Sequence, residues 1–521
     1  MTGPPPGARG FDLLRAPAVG PFFRWRHART TLQLFLLAVA VLVILAGFRD
    51  PQPAPSNLAG ILPWIHWPGF VALTLLLFGN LFCMACPFML TRRLAKRLLP
   101  ARRHWPRALR LKWLALALLF VFLWAYQAFH LRESPLLTAW LVLGYFAVAF
   151  VMDGFFRGAP FCKYVCPIGH FHFVNSMASP FEVAIREPGV CAACRTRDCI
   201  VGRYESPRGL DQGDTPLRPG ERGRLLQRGC ELWLYQETKA GNMDCTFCME
   251  CVHACPYDNV GILARVPARE LWEDPQRAGV GRFSLRPDLA ALAAFLTFAA
   301  FMNAFGMVTH ASAAEAWIGR ILGTDSELLM VGVLLLAGMI LLPALLVAAA
   351  ARASSLLSGS GRTVVQEATR YAYALVPLGF GMWIAHYLFH FLTGGMAVVP
   401  AVQEYVAGLG FSFLGEPAWT LGPMVPHSWL LPLELLFLKL GLLVSLVVAY
   451  RLGIREAGAG TGALPGAGSR ASREPGTRAF RGAVPWGLLA LILFAWGVWI
   501  LLQPMEAGGT PATIPSIRPG G

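Results

Sequence analysis

Cysteine dominates the chemistry open to this chain, and all twelve cysteines fall between Cys83 and Cys255. The densest run, CTFCMECVHACP at 245–256, separates Cys245, Cys248, Cys251 and Cys255 by two, two and three residues and closes on Pro256. That spacing is the ligand run of bacterial-type ferredoxins. Three thiolates wrap one [4Fe–4S] cubane, and the fourth, turned away by the proline, ligates another. Zinc knuckles also use C-x2-C, but as two separate pairs rather than a run of three plus one. A second set is then required, and Cys191, Cys194, Cys199 and Cys230 supply it as C-x2-C-x4-C with a distant fourth. Crossed ligation assigns Cys191, Cys194, Cys199 and Cys255 to one cluster and Cys230, Cys245, Cys248 and Cys251 to the other. The looser second set also admits a [3Fe–4S] or degenerate centre.

Four cysteines remain. CMACP carries Cys83 and Cys86, and CKYVCP carries Cys162 and Cys166, each pair ending in Cys-Pro where an apolar run gives way to polar sequence. Four thiolates suffice for a third metal or redox centre. A dithiol, a copper(I) site or plain buried structural cysteines are the other readings.

The elements that must position these residues are mostly membrane helices. The chain is 55% hydrophobic and only 14% charged, against roughly 25% charged in ordinary soluble domains. Spanning about 30 Å of hydrocarbon takes about 20 apolar residues. About nine runs meet that length, near 31–48, 66–84, 110–129, 136–156, 286–309, 327–351, 371–394, 428–450 and 484–503. The net charge of +15 sits in alternate loops. Arg15, Arg24, Arg26 and Arg29 precede the first span, and Arg92, Arg93, Lys96, Arg97, Arg102, Arg103 and Arg107 follow the second. Arg455, Arg470, Arg473, Arg478 and Arg481 precede the ninth, while 395–427 has no Lys or Arg. The positive-inside rule then places the N-terminus in the cytoplasm and the C-terminus outside. No compact basic helix with interleaved aromatics accompanies the charge, which argues against nucleic-acid binding.

The expected architecture is an all-α polytopic membrane protein of a prokaryotic cell membrane. It comprises a cytoplasmic tail (1–30), a four-helix membrane core (31–156) and a cytoplasmic two-cluster ferredoxin-like insert of α+β type (157–283). Helices five to eight (284–452), a Gly/Ala/Ser/Arg-rich linker (453–483) and a ninth helix with an outside tail (484–521) follow. Twelve thiols facing a reducing compartment argue for metal ligation rather than disulfides.

With Cys-Pro motifs at helix ends and a two-cluster insert, residues 30–270 resemble the NosR/NapH group of membrane polyferredoxins and the related copper-reducing accessory proteins of oxidase assembly. Those families usually show C-x3-C-P twice. Cys162 and Cys166 conform, whereas Cys83 and Cys86 are one residue closer. The resemblance implies electron transfer between the cytoplasmic side or the quinone pool and an outside reductase of the nitrous oxide or nitrate type.

The C-terminal half has no cysteine but groups histidines. His310 closes the fifth span, His386 and His390 lie one helical turn apart on one face, and His427 opens the eighth span, with Glu434 two turns on and Lys439 deeper. Ionisable groups in a membrane are costly and mark functional sites, so these histidines with Glu434 are read as a haem b, metal or quinone site. The competing reading is interfacial histidines hydrogen-bonded within the bundle. His170, His172 and His253 are read as surface or packing residues. Three functions compete: electron transfer, reduction of copper for an outside enzyme, and a redox-controlled transporter built on the last five spans.

Overall fold

A computed structural model describes residues 11–99, 103–205, 224–459 and 475–504. The protein is a multi-pass, all-α membrane protein: it is about 70% helix with few strands, and among the described residues eight helices are long and apolar enough to cross a bilayer. These are Ala28–Arg49, Leu58–Phe78, Pro135–Phe155, Pro287–Phe305, Glu327–Ser358, Val364–Gly408, His427–Ala457 and Gly476–Leu501. The run expected at 110–129 forms the shorter apolar helix Trp113–Ala128, about 24 Å at 1.5 Å per residue.

Two further expectations shift for local reasons. The second span ends at Phe78, not 84, because Gly79 adopts φ +77°. A Cβ there would lie 2.7 Å from Ser179 Oγ, so only glycine fits this close approach. Cys83 therefore rides a separate short helix, Leu81–Ala85. The seventh span begins with a turn capped by Thr363 and Gln366 in a reciprocal capping box. It then passes through a 3-10 step at Ala372–Leu375 before Val376–Gly394, where Pro377 removes a backbone donor. The helices on either side of the expected 453–483 linker reach Ala459 and restart at Pro475; residues 460–474, with Arg470 and Arg473, lie outside the described residues, as does Arg102.

The chain divides into two compact units, which cut across the segments expected from sequence. One draws on Met1–Leu36, Thr74–Leu111 and Ala149–Pro287 and holds all twelve cysteines. Its small sheet pairs β1 (Phe181–Ile185) antiparallel with β4 (Val260–Ala264), Val183 facing Ile262. A second pair joins β2 (Arg203–Tyr204) to β3 (Leu225–Gln227). The buried side chains Val183, Phe247, Met249, Val260 and Ile262 form its core with Leu14 and Met84.

The other unit draws on Leu37–Leu73, Lys112–Val148 and Asp288–Gly521. Its centre is Pro287–Phe305, an apolar helix buried on nearly every side, as expected of a helix that is hydrophobic all round. Val376–Gly394 and His427–Ala459 cross closely because Gly381 meets the Phe437 carbonyl and Gly441 meets that of Pro377. Ser445 Oγ accepts the Leu378 N–H at 3.0 Å, satisfying a donor in the first helical turn.

Candidate metal centre

Residues 245–249 of the cysteine run are not helical. Phe247 (φ +54°) and Met249 (φ +59°) are both left-handed and flank Cys248. Bulky residues avoid that region, and alternating hands turn successive N–H groups into one concavity of the type that holds phosphates and iron–sulfur clusters. A short helix, Glu250–Ala254, then carries Cys251 and ends at Cys255, whose extended backbone leads into Pro256.

Three groups of thiols emerge from electrostatics and hydrogen bonds. In the first, the Asn259 backbone N–H donates to Cys255 Sγ at 3.3 Å while its side-chain amide donates to Cys191 Sγ at 3.4 Å. One residue thus spans the end of one cysteine run and the start of the other. Burial first, then the charges of Cys191, Cys255 and Cys194, push the Cys199 thiol up to about 12. Burial also raises Cys191, opposed by the Asn259 hydrogen bond and reinforced by Cys255 and Cys194.

In the second group, burial raises Cys251 well above the usual thiol range, followed by Cys248, Cys230 and Cys245. Cys248 is likewise raised by burial, against the opposing charge of Arg29. The Leu234 N–H donates to Cys230 Sγ at 3.4 Å.

The third group joins the two Cys-Pro pairs. Burial raises Cys83 well above its ordinary value, then Cys86, Cys162, Cys166 and Cys245 add to it. Cys86 rises to about 12 through burial and then Cys162. Cys162 rises to about 11 through burial, against the opposing pull of Arg92. The Gly169 N–H donates to Cys166 Sγ at 3.3 Å, and Cys162 Sγ reaches Met89 Sδ at 3.3 Å.

The groups follow one another. Cys199 and Cys230 meet through a backbone hydrogen bond of 2.8 Å from the Cys230 N–H. Cys83 and Cys245 influence each other, and buried Asn80 donates its amide to the Cys245 carbonyl at 2.6 Å. Among the described residues no three of His, Cys, Asp and Glu are gathered as tightly as one bound ion needs.

Sequence reasoning missed the polar frame around these thiols. Arg29 and Arg92 read as loop charges that set topology, yet they are 6% and 3% exposed. Arg29 pairs with Glu231 at 3.0 Å and Glu250 at 3.2 Å, and Arg92 pairs with Asp153 and Glu231, both at 2.8 Å. The available signal was adjacency: Glu231 follows Cys230, and Glu250 precedes Cys251. His170 and His172 prove buried. The His172 ring stacks on Phe82 at 5.5 Å, and burial lowers its pKa to about 3. His253 is half-buried in the helix between Cys251 and Cys255.

In the other unit the histidines separate. His386 is buried, and its ring meets that of His390 edge-on at 4.7 Å. His390 Nε2 lies 3.0 Å from Met307 Sδ. His310 is exposed, 5.1 Å from the Trp499 ring. His427 is exposed at the first residue of its helix, and Lys439 is exposed further along it. Glu434 is buried, with Oε1 lacking a hydrogen-bond partner. The structure therefore brings together His386 and His390 of the expected group. A further buried histidine, His66, contacts the Gly395 carbonyl through Nε2 at 2.9 Å.

No protein-family model, curated protein or solved structure matches the chain.

Proposed function

We propose that this chain is a membrane-bound iron–sulfur electron-transfer protein of the NosR/NapH type. Its first unit would hold two [4Fe–4S] clusters in a cytoplasmic ferredoxin-like insert, and the Cys-Pro thiols would hold a third redox centre. The observation that carries this reading is Asn259, which donates to both Cys255 Sγ and Cys191 Sγ. That contact supports crossed ligation, which needs the end of one cysteine run beside the start of the other.

The donor set fits such clusters. Buried thiols with raised pKa values stay neutral alone, and a metal centre supplies the positive charge that deprotonates them. When bound, the clusters supply one-electron storage.

The protein's own residues do the rest. The left-handed backbone at Phe247 and Met249 shapes the Cys248 loop into the kind of turn whose N–H groups can gather around an anionic cluster. Leu234, Asn259 and Gly169 donate to sulfur, which tunes the potential of whatever the sulfurs hold. Val183, Phe247, Val252 and Ile262 exclude water. The sequence of thiol groups gives electrons a path from Cys191, Cys194, Cys199 and Cys255, through the 245–251 run, to the Cys-Pro set. Exchange with quinone at His386 and His390 is the proposed outlet, serving an outside reductase.

The contact between Cys162 and Met89 favours a second reading, since a thiol beside a thioether is a soft pair suited to copper(I). In that reading the chain reduces copper for an outside enzyme.

A proteoliposome experiment separates the two. Clusters reduced by dithionite should be reoxidised by a short-chain quinone, and His386→Ala should slow that step at least tenfold with iron content unchanged. Unchanged quinone reoxidation in His386→Ala removes the outlet. Stoichiometric copper that depends on Cys162, together with quinone inertness, replaces electron export by copper reduction.

A further inference from the structure

Arg92 divides its guanidinium among three partners. Nε donates to Asp153 Oδ2 at 2.8 Å, Nη1 to Glu231 Oε2 at 2.8 Å, and Nη2 to Cys162 Sγ at 3.2 Å. Glu231, the residue after Cys230, also accepts from both Nη1 and Nη2 of Arg29, at 3.0 and 3.2 Å. Arg29 in turn donates to Glu250, the residue before Cys251, at 3.2 Å. A continuous run of charge-assisted hydrogen bonds thus joins a thiol of the Cys-Pro group to residues beside two thiols of the 245–251 group.

A purely structural ion pair would not need the sulfur. Arginine gains most from a carboxylate by pairing two parallel N–H donors with its two oxygens. Arg92 forgoes that fork with both of its carboxylates and points the remaining arm at Cys162. At 3% exposure, with Asp153 at 1%, the charge acts through a medium far less screening than water.

Building on the electron-transfer reading, the geometry points to Arg92 as a positioning residue that sets the reduction potential of the centre held by Cys162, aimed by Asp153 and Glu231. The Cys-Pro thiols would hold the acceptor and the 245–251 group the donor of a single electron, so that one centre would be oxidised as the other is reduced, with no proton or further reactant consumed. A donor to sulfur and a fixed positive charge both favour the more negative, reduced state. Arg29 and Arg92 face Asp153, Glu231 and Glu250, with Lys96, Arg93 and Arg228 acting on the same carboxylates from further off, so losing Arg92 removes the one cation bonded to Cys162 and leaves Asp153 without its ion pair beside that thiol.

The test uses the full chain, purified anaerobically in detergent and titrated with dithionite under EPR, with Cys162→Ser identifying the third signal. In Arg92→Met the midpoint of that signal should fall by about 59 mV or more, a tenfold loss of reduced fraction for a one-electron couple. Arg92→Lys, which keeps the charge, should shift it less in the same direction. The signal lost in Cys191→Ser should keep its midpoint in both variants. If Arg92→Met does not fold, Arg92→Lys decides alone. An unchanged third midpoint in a variant with full iron content overturns the assignment. So does a wild-type protein with about eight irons and no Cys162-dependent signal, which leaves the two-cluster reading standing. Absence of iron and sulfide from the wild type would defeat the electron-transfer reading itself.

Discussion

Cys255→Ser should remove the same cluster as Cys191→Ser and spare the one that Cys248→Ser removes. This result is expected even though Cys255 is separated from Cys251 by only three residues and from Cys191 by more than sixty. Proximity in sequence would group Cys255 with its own run. The structure turns it away: the helix Glu250–Ala254 ends there, Pro256 follows, and Asn259 ties its sulfur to that of Cys191. In the proposed ligation the group left behind, Cys245, Cys248 and Cys251, would be completed by Cys230, which acts electrostatically on both Cys248 and Cys251. Each substitution should lower iron from about eight to about four per chain. EPR of the reduced variants checks which signal is lost. If Cys255→Ser and Cys248→Ser abolish one shared signal while Cys191→Ser abolishes another, ligation is uncrossed and the role given to Asn259 fails.

Loss of the Glu231 charge should strongly destabilise the cysteine-bearing unit. Glu231→Gln removes a nearly buried carboxylate shared by Arg29 and Arg92. Each arginine keeps one carboxylate, Glu250 for Arg29 and Asp153 for Arg92, so the cost should approach but not exceed the about 3–5 kcal/mol of a buried charge left wholly without a partner. Arg24→Gln breaks an exposed pair with Asp258, at 41% and 53% side-chain exposure, and should cost under about 1 kcal/mol. Denaturant titration in detergent compares the two, and equal small losses would refute the ranking. The pH dependence follows from the same contacts. Burial works to raise the Glu231 pKa, but Arg29 and Arg92 outweigh it and hold the carboxyl below its usual 4.5. A carboxyl depressed in the folded state contributes stability in full above its unfolded pKa and loses it as pH falls toward the folded value. The wild type should therefore lose this contribution only below about pH 4.5, a dependence that Glu231→Gln abolishes.

Much of this arrangement was legible in the sequence, because spacing alone constrains thiols. The run 245–256, the second set and the two Cys-Pro pairs could be named from spacing. Hydropathy located most of the spans to within a few residues. What escaped depends on three-dimensional context. Gly79 ends the second span early because the backbone approaches Ser179 closely, which no apolar count reveals. Arg29 and Arg92 carry the same sequence signature as a topogenic loop charge, yet bury themselves against carboxylates next to the cysteines. Asn259 lies four residues past Cys255 with nothing in its type to mark it. The histidines were grouped by expected depth, and depth is a weak guide: His386 and His390 share a helix face by spacing and do meet, whereas His310 turns to Trp499.

The most direct test of the central claim is quantification of iron, acid-labile sulfide and zinc in the anaerobically purified full-length protein, with EPR of the reduced sample. About eight irons and eight sulfides bound by the 191–255 cysteines, with two interacting [4Fe–4S] signals, are expected. Stoichiometric zinc with neither iron nor sulfide would contradict it.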